Sequence, residues 1–201
     1  MVFRLYQSQP SGNCYKIRLL LSQLQIEFEK VEIDIFQKET RTPEFLEKNL
    51  NGRVPVLETE EGKFLAESNA ILYYLSDETH FLPNSRWERA QILQWLFFEQ
   101  YSHEPYIATS RYWISLLKQP EKYQDLINQK RDPGYAALQV IEKHLTNHPF
   151  FVLDQYTIAD IALFAYTHVA DEGGFELNKF PHILNWIERV KEQPNYIPIT
   201  A

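Results

Sequence analysis

The spacing of hydrophobic residues changes once along this chain, near residue 80, and that change constrains the fold more than any other feature. Before it, strand-like and helix-like segments alternate at short intervals, whereas every later periodic segment has the spacing of a helix. All four tryptophans lie after residue 86, which predicts the larger aromatic core in the helical part. We expect an α/β domain over residues 1–78, a linker over 79–86 and an all-α domain over 87–201.

The first domain has the predicted element order β-α-β, then α, then β-β-α. This order builds a small mixed sheet with helices on its faces. The predicted strands are Val2–Tyr6, Phe28–Ile35, Val54–Glu58 and Lys63–Leu65. The predicted helices are one with an apolar stripe at Ile17, Leu20, Leu21 and Leu24, one opened by Thr42 and Pro43, and one over Ser68–Leu75 with Ser68 as its N-cap.

The second domain is predicted to be a bundle of helices. One long helical pattern runs from Trp87 to about Leu117, a second is predicted to start at Asp132-Pro133, and a last one starts at Pro181. Between them, the segment from Ile158 to Val169 is apolar on several faces, which predicts a central, buried helix. Thr157-Ile158-Ala159-Asp160 opens that helix as a capping box, and we interpret it as structural and not catalytic.

Composition excludes several classes of protein. The one cysteine cannot form an internal disulfide, a CxxC pair or a cysteine-rich metal cage. The net charge is −7 and the charged residues are spread evenly, so the sequence has no basic stripe, which argues against nucleic-acid binding. No apolar run is long enough for a membrane span. His144 and His148 are four residues apart, but Leu145 stands where a zinc-protease helix needs glutamate, so we expect no metal. We expect a soluble, cytoplasmic protein.

Three further motifs each allow two interpretations. Ser11-Gly12-Asn13-Cys14 stands between the first strand and the first helix, where it forms either an anion site at a helix N-terminus or an ordinary helix cap. Glu67-Ser68-Asn69 precedes an apolar helix, where it either holds a ligand's carboxylate and ammonium groups or only caps the helix. In Arg53-Val54-Pro55-Val56 the proline fits a cis turn, a sheet edge or a simple loop-to-strand junction.

Taken together, the motifs resemble the cytosolic glutathione S-transferase superfamily over nearly the whole chain. The resemblance rests on Leu5-Tyr6 with Ser11-Gly12-Asn13, on Arg53–Leu57 (RVPVL), on Glu67–Leu75 (ESNAILYYL) and on Thr157–Ala162 (TIADIA). It implies a thioredoxin-like domain that binds glutathione, a helical domain that shapes the site for an electrophile, and a homodimer. The Ser11/Asn13 pair lies between the theta-like and the bacterial nu-like patterns.

The resemblance also implies roles for single residues. Ser11 would hydrogen-bond the glutathione sulfur, and Asn13 would help it. The implied contacts hold the three parts of glutathione. The Val54 backbone would pair with the cysteinyl part, and Pro55 would be a cis-proline that presents Val54. Glu67 would hold the γ-glutamyl ammonium and Ser68 its carboxylate, Arg53 would neutralise a carboxylate, and one of the residues Lys38–Arg41 would contact the glycyl carboxylate.

The leading hypothesis is an enzyme that conjugates the glutathione thiol to apolar electrophiles. They would bind between the Gln7–Pro10 loop and the long helix, with Tyr106 and Arg111 as lining residues. Glu99 is a further candidate, as a contact to the partner subunit's glutathione. The alternatives are a glutathione-dependent disulfide reductase or peroxidase, which acts through Cys14 or through two glutathione molecules, and a non-catalytic binding module. Cys14 itself is either a thiol activated at a helix N-terminus or a small packed side chain.

Overall fold

A computed structural model describes residues 2–201 of the chain. The described residues form two compact units. Unit 1 contains the chain through Asp77 together with Pro194–Ala201, and unit 2 is Glu78–Gln193. The segment Pro194–Ala201 therefore makes its contacts within unit 1, although it follows the last helix of unit 2 in the sequence.

Unit 1 is a four-stranded mixed sheet with helices, and it confirms the predicted thioredoxin-like order. Its elements are β1 (Phe3–Gln7), α1 (Gly12–Gln23), β2 (Phe28–Glu32), α2 (Pro43–Lys48), β3 (Val56–Glu58), β4 (Phe64–Ala66) and α3 (Ser68–Leu75), with a 3-10 turn at Glu39–Arg41 before α2. The strand order is β2-β1-β3-β4. β1 is parallel to β2 and antiparallel to β3, which pairs antiparallel with β4.

Side-chain capping explains where α2 begins but not where α3 begins. Thr42 accepts a hydrogen bond from the Phe45 N–H, and Pro43 occupies the first turn of α2, as the sequence predicts. The prediction that Ser68 is the N-cap of α3 is wrong by one residue. Glu67 occupies the cap position, and the Ser68 side chain bonds to other residues instead.

Unit 2 is helical throughout. Its helices are α4 (Arg86–Phe98), α5 (Glu104–Arg111), α6 (Gln124–Leu145), α7 (Ile158–Thr167) and α8 (Pro181–Lys191), with 3-10 turns at Glu121–Tyr123, Ala170–Gly173 and Leu177–Lys179. Two π-helical segments, Glu99–His103 and Tyr112–Leu116, follow α4 and α5 without a break, so the predicted long helix is continuous over residues 86–116. Within residues 2–201, every helix is too short or too polar to cross a membrane.

The prediction that a helix begins at Asp132-Pro133 is wrong, because Pro133 lies inside α6. Proline removes one backbone donor from a helix interior and normally disfavours it. Buried residues on both sides of Pro133, among them Ile127, Leu138 and Ile141, pack α6 into the core of unit 2 and offset that cost. The next residue, Gly134, admits the Phe175 ring so closely that an added Cβ would lie 2.5 Å from it.

The centre of unit 2 is α7, and every one of its residues is buried, as its apolar pattern predicts. The predicted capping box is present, because Thr157 accepts from the Ala159 N–H and Asp160 accepts from the Thr157 N–H. Asp160 also accepts hydrogen bonds from the Phe151 N–H and from Trp186 Nε1, at 3.3 and 3.0 Å. Burial raises the pKa of the Asp160 carboxyl to about 7, and these hydrogen bonds act in the opposite direction.

We expect Asp160→Ala to lower the free energy of unfolding by about 3–5 kcal/mol, because three buried N–H donors lose their acceptor at once. Asp160→Asn keeps one acceptor oxygen, so its loss should be smaller. Urea unfolding followed by circular dichroism measures both. Asp125→Ala, at the exposed first turn of α6, is the control and should change stability by less than about 0.5 kcal/mol. A wild-type midpoint for Asp160→Ala would contradict the assignment.

Candidate functional site

The first part of the candidate site is the N-terminus of α1. Ser11 is the N-cap, and its Oγ accepts a hydrogen bond from the Cys14 N–H at 3.3 Å. A hydroxyl has one proton to donate in addition to the bonds it accepts. Ser11 therefore serves as the helix cap and still has a donor for a second group. The two interpretations of this motif are compatible.

The second part is the N-terminus of α3. Glu67 is exposed and has φ of 69°, a left-handed backbone conformation that costs a non-glycine residue about 1 kcal/mol or more. Such strain occurs most often where a side chain must be held for function. Ser68 follows as the first helical residue and is buried, and the helix N-terminus beside it favours a negative charge.

A chain of hydrogen bonds from Lys16 joins the two helix N-termini. Lys16 is fully buried, and its ammonium donates to Ser68 Oγ and to Asn69 Oδ1, both at 3.3 Å. Ser68 Oγ in turn donates to Asn13 Oδ1 at 3.2 Å. Because an ammonium only donates, the Ser68 proton must go elsewhere, and this fixes the oxygen of the Asn13 amide toward Ser68. The donors of that amide are then on the side away from Ser68.

The loop before β3 supplies a third group of predicted residues. The Val54–Pro55 peptide bond is cis, Pro55 is buried and Arg53 is exposed. The Arg53 carbonyl accepts from Asn49 Nδ2 at 2.8 Å, which anchors this loop to the end of α2. Within the predicted stretch Lys38–Arg41, the Arg41 guanidinium donates to the Asn51 carbonyl at 2.9 Å and so belongs to the same loop.

Cys14 is a packed side chain. It is fully buried, and its sulfur accepts a hydrogen bond from the Ser8 N–H at 3.4 Å. Burial raises the pKa of the thiol from 9.0 to about 11, although hydrogen bonds from the Ser11 side chain and the Ser8 backbone oppose the shift. A thiol in this state is neutral at physiological pH and is a poor nucleophile.

The three candidates in unit 2 lie in the interior of that unit to different degrees. Glu99 is fully buried, which does not suit a contact with another subunit's ligand. Arg111 is nearly buried and pairs with Glu172 at 2.7 Å, and the Tyr106 ring lies beneath the Lys130 ammonium. No cluster of three or more potential metal-ligating side chains occurs in the part of the chain that the structure describes.

Sequence reasoning missed the two buried cations of α1, Lys16 and Arg18. Both have 0% exposure, whereas lysine and arginine are almost never fully buried unless they are paired. A signal was present, because both charges interrupt the most apolar stretch of the predicted helix, beside Ile17. The sequence pattern does not show which oxygen atoms accept hydrogen bonds from the two cations.

Comparison with family models finds matches in both parts of the chain. Residues 1–77 match the glutathione S-transferase N-terminal domain, and residues 95–194 match the glutathione S-transferase C-terminal domain. A crystal structure of a glutathione S-transferase from Pseudomonas fluorescens [Pf-5] is 48% identical, covers all of both chains and superposes with a TM-score of 0.98.

Two further relatives differ in what their names describe. The disulfide-bond oxidoreductase YfcG of Escherichia coli (strain K12) is 29% identical over 192 residues, which cover 92% of this chain and 88% of that protein. The structure of Ure2p in complex with glutathione is 26% identical, covers 96% of each chain and has a TM-score of 0.86.

We expect Cys14 to resist alkylation in the folded protein. A pKa raised from 9.0 to about 11 lowers the thiolate fraction about 100-fold at neutral pH, and burial excludes the reagent as well. The rate of iodoacetamide labelling, followed by intact-mass spectrometry, checks this with and without denaturant. Denatured protein should label once per chain at the rate of an ordinary thiol, whereas native labelling at a similar rate would refute the burial argument.

Proposed function

The chain belongs to the glutathione S-transferase family, and from this premise we propose that it binds glutathione, activates its thiol and conjugates it to electrophilic, largely apolar small molecules. One observation carries the proposal. A hydrogen-bond chain from a buried ammonium links the N-terminus of α1, with Ser11 and Asn13, to the N-terminus of α3, with Glu67 and Ser68. Two joined helix N-termini suit a ligand that carries a thiolate and a carboxylate. In this role the protein acts in detoxification in the cytoplasm.

Activation of the thiol requires selective stabilisation of its anion. A thiol with an ordinary pKa of about 8.5 is only a few per cent ionised at neutral pH, and lowering that pKa by about 2 units corresponds to about 2.7 kcal/mol. One hydroxyl that donates to a charged acceptor supplies about 1.5–3 kcal/mol, and the dipole of α1 adds to it. These magnitudes suffice without a general base.

The Ser11 hydroxyl has two possible acceptors. Its proton can point to the neutral Cys14 sulfur or to a bound thiolate, and a charged acceptor forms the stronger bond. We therefore assign the proton to the glutathione sulfur when the ligand is present. The donors of the Asn13 amide share this role, because Ser68 occupies its oxygen.

The remaining contacts hold the glutathione peptide. The exposed Glu67 carboxylate pairs with the γ-glutamyl ammonium, and Ser68 with the first turn of α3 receives the γ-glutamyl carboxylate. The Val54 backbone pairs with the cysteinyl part beside the cis Pro55, and Arg53 faces a carboxylate.

In the reaction the thiol proton leaves to solvent, and the thiolate electron pair forms an S–C bond. A leaving group departs with its own electron pair, or the new carbanion takes up a proton.

A second candidate function is reduction of disulfides with glutathione as the reductant. The similarity to a disulfide-bond oxidoreductase favours it, and the buried Cys14 limits its mechanism to the thiols of glutathione itself. Two glutathione molecules would give glutathione disulfide and two thiols from one substrate disulfide.

A panel of aryl halides, epoxides, hydroperoxides and disulfides separates the two candidate functions. Disulfide activity that survives Cys14→Ala, without any conjugation, would favour the second.

We expect Ser11→Ala to lower kcat/KM for conjugation about 10-fold to 100-fold at neutral pH, because the thiolate loses a donor worth about 1.5–3 kcal/mol. The midpoint of the pH–rate profile should move up by about 1–2 units. Ser11→Thr keeps the hydroxyl and the helix cap and is the matched control. An unchanged pH dependence for Ser11→Ala would show that the role of Ser11 is wrong. Failure of the wild type to bind immobilised glutathione would reject the proposed function itself.

We also propose that the protein forms a homodimer through α4. The large exposed hydrophobic side chains of α4 include Trp87 and Phe97, with exposures of 72% and 70%, and Tyr101 in the π-helical segment that follows is 82% exposed. At about 100° per residue, Trp87 and Phe97 lie about 80° apart around α4, and Leu93, which is 37% exposed, extends that arc to about 120°. An exposed apolar stripe of this kind, which here is interrupted by the exposed Gln94, is typical of a surface that another protein covers.

We expect Phe97→Glu to convert the dimer to a monomer, because it places a charge in the centre of the stripe. Light scattering coupled to size-exclusion chromatography measures the mass. Leu126→Glu, on the exposed side of α6, is the control and should leave the dimer intact. A wild-type protein that runs as a monomer would reject this proposal without affecting that for glutathione.

A further inference from the structure

Arg18 is the second buried cation of α1, and none of the roles assigned above involves it. It has 0% exposure and lies two residues after Lys16, so the two side chains leave the helix in different directions. We propose that Arg18, together with the segment Pro194–Ala201, is a positioning element that holds the loop from Gln7 to Ser11 and thereby the Ser11 hydroxyl. This inference rests on the proposed function for its catalytic part only.

The Arg18 guanidinium bonds to three oxygen atoms from two parts of the chain. Nη1 donates to Gln7 Oε1 at the end of β1, and Nη2 donates to the Gln9 carbonyl at 3.1 Å and to the Ile199 carbonyl at 2.7 Å. A guanidinium stays charged when it is buried, so it needs acceptors around it, and here they face Nη1 and Nη2, whereas the buried Nε has no hydrogen-bond partner within residues 2–201. The stability of this charge therefore depends on the loop and on the C-terminal segment at the same time.

Gln9 is the residue of the loop that these contacts hold most firmly. Its N–H donates to Glu32 Oε1, and its side-chain amide donates to the carbonyl oxygens of Ile199 and Ala201 at 3.2 and 2.8 Å. With the bond from Arg18 to its carbonyl, every backbone polar group of Gln9 has a partner. Ser11 follows two residues later, and its N–H donates to the Ser8 carbonyl at 3.0 Å. Fixing Gln9 therefore restricts where Ser11 lies.

The segment Pro194–Ala201 is held against one face of α1. The Tyr15 hydroxyl donates to the Ile197 carbonyl at 2.7 Å, and Ser22 Oγ donates to the Asn195 carbonyl at 2.9 Å. With Arg18, these donors stand at positions i, i+3 and i+7 of the helix, which share one face. Their acceptors are the carbonyls of every second residue, 195, 197 and 199. In helix order, Tyr15, Arg18 and Ser22 donate to residues 197, 199 and 195, so three separate bonds from one face of α1 hold this short segment.

A hydroxyl that stabilises a thiolate must be placed within about 0.5 Å, and misplacement by about 1 Å can cost about 100-fold in rate. We therefore test Arg18→Met, Arg18→Lys and Tyr15→Phe in the full chain. Tyr15→Phe loosens the C-terminal segment through Ile197 and keeps the aromatic ring, so it tests the segment without altering Arg18. Arg189→Met, which removes a bond to the Pro149 carbonyl in unit 2, is the matched control.

The first measurement is amide hydrogen exchange of peptides that cover residues 7–13, without glutathione. Arg18→Met should speed exchange there about 10-fold or more, and Tyr15→Phe should have a smaller effect in the same direction. Arg18→Lys should recover only part of the protection, because an ammonium lacks the planar fork that reaches three acceptors. Arg189→Met should match the wild type. Wild-type exchange in both Arg18→Met and Tyr15→Phe would overturn the proposal.

The second measurement is the conjugation rate as a function of glutathione concentration and pH. Arg18→Met and Tyr15→Phe should lower kcat more than they change KM for glutathione, and should move the midpoint of the pH–rate profile upward. Faster exchange with an unchanged kcat and pH profile would overturn the catalytic part. If the wild type shows no conjugation, the proposed function fails, and the exchange experiment still decides whether Arg18 and the C-terminal segment hold the loop. If Arg18→Met does not fold, Tyr15→Phe decides both points.

Discussion

The burial of two positive charges on α1 is the constraint on which the rest of unit 1 depends. Lys16 and Arg18 are both excluded from water, and an uncompensated charge in a protein interior is far too costly to persist. Oxygen atoms from the rest of the unit must therefore surround each of them. Lys16 requires the start of α3, and Arg18 requires the loop after β1 and the segment Pro194–Ala201.

The same constraint explains how an acidic protein can offer a site for an anionic ligand. With a net charge of −7 the chain as a whole repels anions. At the proposed site the positive potential comes from the exposed Arg53, from two helix N-termini and from the buried Lys16 ammonium behind Ser68, which the solvent does not screen. The hydrogen bond from Ser68 to Asn13 connects this ammonium with the thiol end of the proposed glutathione site.

Unit 2 contains a buried acidic side chain, Asp160, that also depends on hydrogen bonds from other parts of its unit. Asp160 starts the central helix by accepting hydrogen bonds from its own cap, and it also receives donors from Phe151 and Trp186. The cost of burial is visible in the pKa of its carboxyl, which is raised to about 7. One side chain thereby fixes the start of α7 and its contact with α8. This is a structural role, as the capping-box pattern predicts.

Local patterns in the sequence determined the element order, the caps at Thr42 and Thr157, and the buried character of α7, because these depend on neighbours within a few residues. Only the tertiary structure decided that α6 continues through Pro133 and that Glu67, one residue before Ser68, occupies the N-cap position of α3. It also decided that the residues after α8 belong to unit 1. The physical reason is the same throughout. A helix-breaking proline or a buried cation is tolerated only when distant groups compensate for it, and the acceptor of Arg18 at Ile199 lies 181 residues away in the sequence.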